Sequence, residues 1–353
     1  MSGALVVRPD NAGDVLLAGP AIRAVAASGA PVTVLAGPNG ADAARLLPGV
    51  EDVLMHRLPW IDPSPPPVTT ADVVGLVDKL GGRGFDRALV LTSFHQSALP
   101  TALVLRLAGV GWVGAVSEDY PGSLLDLRHH VDDDLPEAER GLSLAEAAGY
   151  ALPPGDDGAL AVRRPLPDVS RLLPPGPFVV LHPGTSVPAR AWPVERFAAA
   201  ARGLVLDGHT VVVTGGPSER ELTRAVVGST PAVDLGGRTS LAELAAVLDA
   251  AAAVVVGNTG PAHLAAAVGT PVVSLFAPTV PAVRWAPHRV AHVLLGDQHA
   301  ECRDSRATQC PVPGHPCLRS VSAADVLCAV DRLVQATGRC DGHLSRLPMR
   351  SHV

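Results

Sequence analysis

The sequence predicts a parallel α/β protein made of two doubly wound units. Three observations lead to that expectation. At 353 residues the chain exceeds what one core usually fills and suits two domains. Short Val-rich runs alternate with longer Ala/Leu-rich helical patterns, the signature of parallel α/β architecture. The two halves also echo each other. Val32-Thr-Val-Leu-Ala-Gly-Pro-Asn begins 27 residues after Leu5, and Val211-Val-Val-Thr-Gly-Gly-Pro-Ser begins 32 residues after Val179. Each is a strand running into Gly-Pro and a polar helix cap.

Strands are expected at residues 5–7, 32–35 and 88–91, then at 179–181, 211–214, 254–256 and 272–275. Helices are expected at 15–27, 197–206 and 241–250. The last follows Thr239-Ser240, with Glu243 three residues on, a recognisable helix start. Ala151-Leu-Pro-Pro-Gly-Asp-Asp-Gly and Leu173-Pro-Pro-Gly-Pro are rich in breakers, and the strand pattern restarts at Phe178. This places an N-terminal domain at 1–170, a C-terminal domain at 171–337 and a disordered tail at 338–353. Two such units imply a cleft between them, the usual place for a ligand. Pro63-Ser-Pro-Pro-Pro reads as a surface loop beside it.

Composition narrows the function. Hydrophobic residues make up 47% and charged residues 18%, so most of the chain is a folded globule. The single lysine, Lys79, sits in Val-Asp-Lys-Leu and not in Gly-Lys-Ser/Thr, which excludes a P-loop and leaves little for Schiff-base chemistry. A net charge of -6 gives no reason to expect nucleic acid or an anionic membrane as partner. The apolar stretch 245–256 contains Asp249 and is too short to span a bilayer. The chain opens on a strand pattern at residues 4–7 with no basic leader, and all five cysteines lie after residue 300. A cytoplasmic protein with reduced thiols is the expectation.

Three segments bear chemistry. Arg8-Pro-Asp-Asn-Ala-Gly-Asp14 follows the first strand, with Gly13 permitting a tight turn and Asp14 expected at the start of the next helix. A carboxylate there commonly caps or charges a helix end. It would also stay ionised at neutral pH, which suits a general base. One glycine in the turn rules out Gly-x-Gly-x-x-Gly. His182-Pro-Gly-Thr185-Ser186-Val-Pro-Ala-Arg190-Ala-Trp192-Pro193 offers two hydroxyls, backbone donors and a fixed cation, a kit for holding a diphosphate; an ordinary βα loop with an exposed arginine is the plainer alternative. Gly257-Asn258-Thr259-Gly260-Pro261-Ala-His263 is again strand, loop and helix. Thr259 is placed to cap, free amides point at the cleft, and His263 falls in the first turn.

These motifs, in this order, resemble the ADP-heptose:lipopolysaccharide heptosyltransferases, family 9 of the glycosyltransferases. The resemblance runs from about residue 4 to 335 and includes Thr-Gly-Gly-Pro at 214–217. It implies the GT-B fold, two facing Rossmann-like doubly wound domains, and inverting transfer from an ADP-sugar without metal or cofactor. By that resemblance Asp14 is the catalytic base, and Thr185, Ser186 and Arg190 are diphosphate ligands. Glu219 contacts the donor nucleoside, while Thr259, Gly260 and His263 grip the phosphates and donor sugar. Relatives commonly carry Asp where this chain has Asn258, a difference that bears on the donor sugar.

Residues 51–75 hold only His56 and Arg57 against Glu51, Asp52, Asp62 and Asp72. A basic patch for an anionic glycan is therefore missing from that stretch, and a neutral or cationic natural product or glycan becomes the expected acceptor. A sugar-nucleotide epimerase or hydrolase of the same fold, or a non-catalytic nucleotide-binding module, stays open. Cys302, Cys310, His315 and Cys317 have the spacing C-x7-C-x4-H-x-C, which departs from familiar zinc patterns; packed thiols or one disulfide account for it as well.

Overall fold

The computed structural model describes residues 3–62, 64–131 and 134–337. The expected tail at 338–353 lies outside these, as does Pro63 of the proline-rich loop. Twelve strands are described: β1 (Ala4–Val7), β2 (Val32–Ala36), β3 (Val50–Met55), β4 (Arg87–Val90), β5 (Trp112–Val116), β6 (Leu127–His129), β7 (Phe178–His182), β8 (Thr210–Gly215), β9 (Val233–Gly236), β10 (Ala253–Gly257), β11 (Val272–Leu275) and β12 (His292–Leu295). They form two six-stranded sheets with orders β3-β2-β1-β4-β5-β6 and β12-β11-β10-β7-β8-β9. Every pairing is parallel. Counted from its own first strand, each sheet has the order 3-2-1-4-5-6, so the echo in sequence is an echo in topology.

Central strands are buried along their whole length: β1, β2, β7 and β10 hold no exposed residue. Helices cover both faces, which is why these strands read as unbroken Val/Leu runs. The two halves share an apolar base, where a cluster containing Leu16, Ile22 and Leu47 continues into Leu244, Val247 and Leu264. Between them the segment after residue 151 is mostly irregular and is fastened to both halves. Arg23 grips Asp156 through two nitrogens at 2.6 and 2.8 Å, and Arg164 grips Asp249 at 2.9 and 2.7 Å.

One expected element differs. The helix expected at 15–27 is two helices, Ala12–Leu17 and Gly19–Ala26, broken at Ala18. Pro20 lacks an N–H and its ring would clash with the preceding turn, so the helix restarts with Pro20 in its first positions. Asp14 consequently lies inside the first turn of Ala12–Leu17 and not ahead of it. Helices Val194–Leu206 and Leu241–Ala250 match expectation, and Ser240 with Glu243 forms a reciprocal capping box.

The loop after β1 is braced from β2. A Cβ on Gly37 would collide with the Pro9 carbonyl oxygen, so only glycine allows this approach. Gly37→Ala is expected to cost about 1–3 kcal/mol, the usual size of an overpacking strain. Denaturant midpoints of the two proteins at equal m-value check this.

Candidate active site

Four loops leave the C-terminal ends of the strands flanking the two switch points, after β1, β4, β7 and β10, and they converge on one cleft. A cavity of about 330 Å³ lies there, and its wall includes Asp14, Thr185, Ser186, Arg190, Asn258, Thr259, Gly260 and His263. Of the residues expected from the sequence, Glu219 stays outside this wall. Its carboxylate folds back to accept the Gly216 N–H at 2.7 Å and fills the space that a side chain on Gly184 would need.

The two halves touch where the helices Ala12–Leu17 and Gly260–Ala267 begin. A Cβ on Gly13 would lie 3.1 Å from both Gly260 Cα and His263 Cδ2. Asp14 is thereby set against the Asn258–His263 loop, with its side chain 21% exposed. Arg8, buried after β1, sends Nη2 to Asp14 at 3.3 Å and to Ser93 Oγ at 3.0 Å, while its Nε pairs with Asp10 at 3.0 Å. The Asp14 carboxyl is pushed up to about 7, first by burial, next by the Asp10 charge, with Arg8 pulling the other way. The sequence led us to expect a fully ionised Asp14 held by the helix end. Desolvation and a neighbouring carboxylate outweigh that dipole.

Across the cleft the residues after β7 and β10 are tied into their own framework. Thr185 Oγ1 accepts the Val187 N–H at 3.1 Å, shaping its loop. Arg190 donates to the Asn258 carbonyl at 3.3 Å, its Nε is buried without a partner, and burial lowers its pKa. Trp192 anchors this loop by donating to the Val321 carbonyl at 3.3 Å and stacking edge-on against Phe197. Thr259 sits at the N-cap position, yet its hydroxyl turns to Gly257 and caps nothing. His263 is buried, pushed down to about 4 by burial and by Arg190, and its Nδ1 has no protein partner. It is a neutral imidazole with a nitrogen to offer.

Asn258 also has a structural task. Its amide forms a backbone clasp, Nδ2 donating to Ala277 O and Oδ1 accepting Ala277 N–H, both at 3.2 Å. It is 5% exposed. Asparagine here holds the loop to the chain after β11, and the clasp uses one of its two amide hydrogens and one oxygen lone pair.

Sequence reasoning missed the loop after β4. Ser93 to Gln96 line the cavity, and Gln96 donates to Asp10 at 2.6 Å. Its strand was visible in sequence, and the strand's place beside β1 was the available signal. Arg306 and Thr308 also reach the cavity, brought there by the cysteine-containing loop. That loop braces the diphosphate-type loop through Ala189 N–H on Thr308 O at 3.0 Å and His315 Nε2 against Ala189 O at 3.1 Å. Cys302 and Cys317 are buried thiols, and burial with the neighbouring sulfurs pushes Cys317 up to about 12. Among the described residues no cluster of three or more His, Cys, Asp or Glu has an arrangement that could hold a metal.

The acidic stretch at 51–75 proves to be a poor guide to the acceptor. Asp62 pairs with Arg57 and Asp52 with Arg83, and only Ile61 of that stretch reaches the main cavity. A second cavity of about 240 Å³ shares Phe94, His95 and Gln96 with the first and is walled by Ser117, Glu118, Asp119, Arg140 and Arg284. Among the described residues no helix is long and apolar enough to cross a membrane.

Residues 73–315 match the family described as Glycosyltransferase family 9 (heptosyltransferase). Lipopolysaccharide heptosyltransferase 3 of Escherichia coli is 31% identical over 168 residues, covering 45% of this chain and 48% of that protein. The chain thus spans about half the length of this curated relative. The structure of E. coli ADP-heptose lps heptosyltransferase II superposes with a TM-score of 0.72 at 20% identity, over 95% of this chain and 99% of that one. An E. coli heptosyltransferase solved with ADP-2-deoxy-2-fluoro heptose gives 0.70 at 21% identity, over 93% and 99%. At these identities the likeness concerns the fold, and it is GT-B.

Asn258→Asp should destabilise the protein. The buried carboxylate loses the donor to Ala277 O and must be desolvated, a penalty of about 1–3 kcal/mol. Because a buried carboxyl resists ionising, the loss should grow as pH rises. Melting temperatures of both proteins at pH 5 and pH 8 test the magnitude and the sign.

Proposed function

The chain belongs to glycosyltransferase family 9, and from that premise we propose that it moves a sugar, heptose or one like it, from an ADP-sugar to an acceptor hydroxyl with inversion, Asp14 acting as general base. The observation that supports this most is the single cavity in which Asp14 faces the Thr185–Arg190 and Asn258–His263 loops. The neighbour holding ADP-2-deoxy-2-fluoro heptose supports an ADP-sugar as donor.

In this mechanism Asp14 takes the acceptor's O–H proton as that oxygen attacks the anomeric carbon from the face opposite the diphosphate. The bond from the anomeric carbon to the phosphate oxygen breaks, and its electron pair leaves with ADP. Arg190 and the start of helix Gly260–Ala267 stabilise the charge growing on the leaving oxygen. His263, neutral, donates or accepts a hydrogen bond at the phosphates or sugar. The resemblance implies a nucleoside contact for Glu219; its Oε2 accepts the Gly216 N–H, and Oε1 is the oxygen left for such a contact. Water is excluded as the halves close on both substrates.

The acceptor enters through the second cavity, which adjoins the cavity of Asp14 at Phe94, His95 and Gln96. Glu118 and Asp119 stand exposed at its rim against Arg140 and Arg284, so its wall carries no excess of positive charge. That balance favours a neutral small molecule or glycan over a phosphorylated one. Transfer by purified protein only to phosphorylated or acidic-sugar acceptors would sink this part of the proposal.

Asp14→Asn is expected to abolish transfer, by at least about 100-fold, the size of a lost general base, while ADP affinity by calorimetry stays near that of the parent. Retention of more than a few per cent of activity overturns the assignment. In the parent, kcat/KM should fall as pH drops below about 7, because Asp14 must lose its proton to act. The same raised pKa means that Asp14 costs folding stability, a cost that builds as pH rises from the ordinary carboxyl value of 3.8 to about 7 and is complete above it. Asp14→Asn should therefore melt higher than the parent at pH 8, with a smaller advantage at pH 5.

A further inference from the structure

Glu137 is a buried carboxylate that the chemistry above does not use. It opens the helix Glu137–Ala147, its side chain is 1% exposed, and neither of its oxygens has a hydrogen-bond partner. A buried charge left this way is costly unless cations face it. Two do: Arg8 Nη2 at 3.7 Å and Arg140 Nη1 at 3.8 Å. The decisive geometry is at Arg8. The nitrogen that faces Glu137 is the same Nη2 that reaches Asp14 at 3.3 Å. Its other neighbour is Ser93 Oγ, so two carboxylates share one donor atom.

We propose that Glu137 is a positioning residue that sets the basicity of Asp14 by competing for the Arg8 nitrogen both carboxylates face. A carboxylate paired one-to-one with a guanidinium is held below its ordinary range and is a weak base. Sharing the guanidinium among Asp10, Asp14 and Glu137 leaves Asp14 only partly neutralised and fit to accept a proton near neutral pH. The charged and titratable groups around Asp14 are Arg8 and Asp10 from the loop after β1, His95 from the loop after β4, and Glu137 and Arg140 from the helix Glu137–Ala147. Arg190 and His263 face it from across the cleft. Glu137 lies behind Arg8 and touches the small void lined by Arg8, Asp14 and Arg140, on the side away from the main cavity. It therefore acts through Arg8, without meeting substrate.

The proposal rests on Asp14 being the base, and its test separates the two. The acid limb of kcat/KM against pH is measured for the parent, Glu137→Gln, Glu137→Asp and, as a control on the same helix, the exposed Glu146→Gln. Removing the charge should move the limb about one pH unit to the acid side, which makes kcat/KM at pH 6 about fivefold larger relative to its plateau. Glu137→Asp, which keeps the charge, and Glu146→Gln should leave the limb near the parental position even where stability falls. A limb that stays put or moves alkaline in Glu137→Gln overturns the proposal. Should that variant not fold, Arg140→Gln replaces it. Removing the second cation gives Glu137 a larger claim on Arg8, so the limb should move alkaline, and an unmoved limb overturns the proposal equally. Activity in Asp14→Asn would instead break the base assignment itself, whatever Glu137 does.

Discussion

The site depends on a close contact between the starts of helices Ala12–Leu17 and Gly260–Ala267, where a side chain on Gly13 would crowd Gly260 and His263. Each helix start presents positive partial charge, so bringing two together is unfavourable unless anions lie between or beside them. Asp14 supplies one such anion from inside the first turn. A diphosphate would supply the other, on the side of Arg190 and His263. The apolar base shared by the two halves, from Ile22 and Leu47 to Leu244 and Val247, holds this electrostatically awkward junction shut. Packing below thus holds two positively polarised helix starts together at the floor of the cleft.

The carboxylates beside this junction show which effect wins. A helix dipole stabilises a nearby anion by about 0.3–1 kcal/mol, whereas burying an ion costs several kcal/mol before its partners act. With Asp10 close by and Arg8 shared, burial prevails and Asp14 rises to about 7. The ionised site is thereby less stable than a neutral one, and the protein tolerates this because the rest of each sheet is saturated. β1, which delivers Arg8, is buried along its entire length and paired on both sides. Strain at the end of a fully paired central strand is cheaper to hold than strain at an edge.

What the sequence revealed follows from the same distinction. Seven strands were legible, and they include all four strands at the two switch points, whose side chains meet apolar neighbours on both faces. The four edge strands β3, β6, β9 and β12 escaped, because partial exposure lets Glu51, Asp52, Arg128, Asp234 and His292 interrupt the apolar run. β5 is interior and was hidden by Gly114 and its leading Trp112. In the site, residues contiguous in one loop could be found: Thr185 to Arg190 and Asn258 to His263 form cavity walls as a block. The ion cluster could not. Arg8, Ser93, Glu137 and Arg140 come from three separate stretches and meet only through strand order, which no local spacing encodes. The clasp of Asn258 was hidden for a related reason. Its partner, Ala277, lies nineteen residues on, at the end of the neighbouring strand.

The two sides of the cleft are built on different terms. On the side of β7 and β10 many groups are fastened to backbone: Arg190 to Asn258, Asn258 to Ala277, Thr185 to Val187, Trp192 to Val321 and His315 to Ala189. A substitution there disturbs a chain of hydrogen bonds, so the shape of this wall is tied to the fold. The second cavity is walled by loops that end in exposed Phe94, Glu118 and Asp119, with Arg284 lying 4.2 Å over the Phe94 ring from the opposite half. Exchanging those side chains alters charge and shape at little cost to stability. Under the proposed function, one framework can therefore keep its donor chemistry fixed while its acceptor changes, and the loops after β4 and β5 are where that freedom lies.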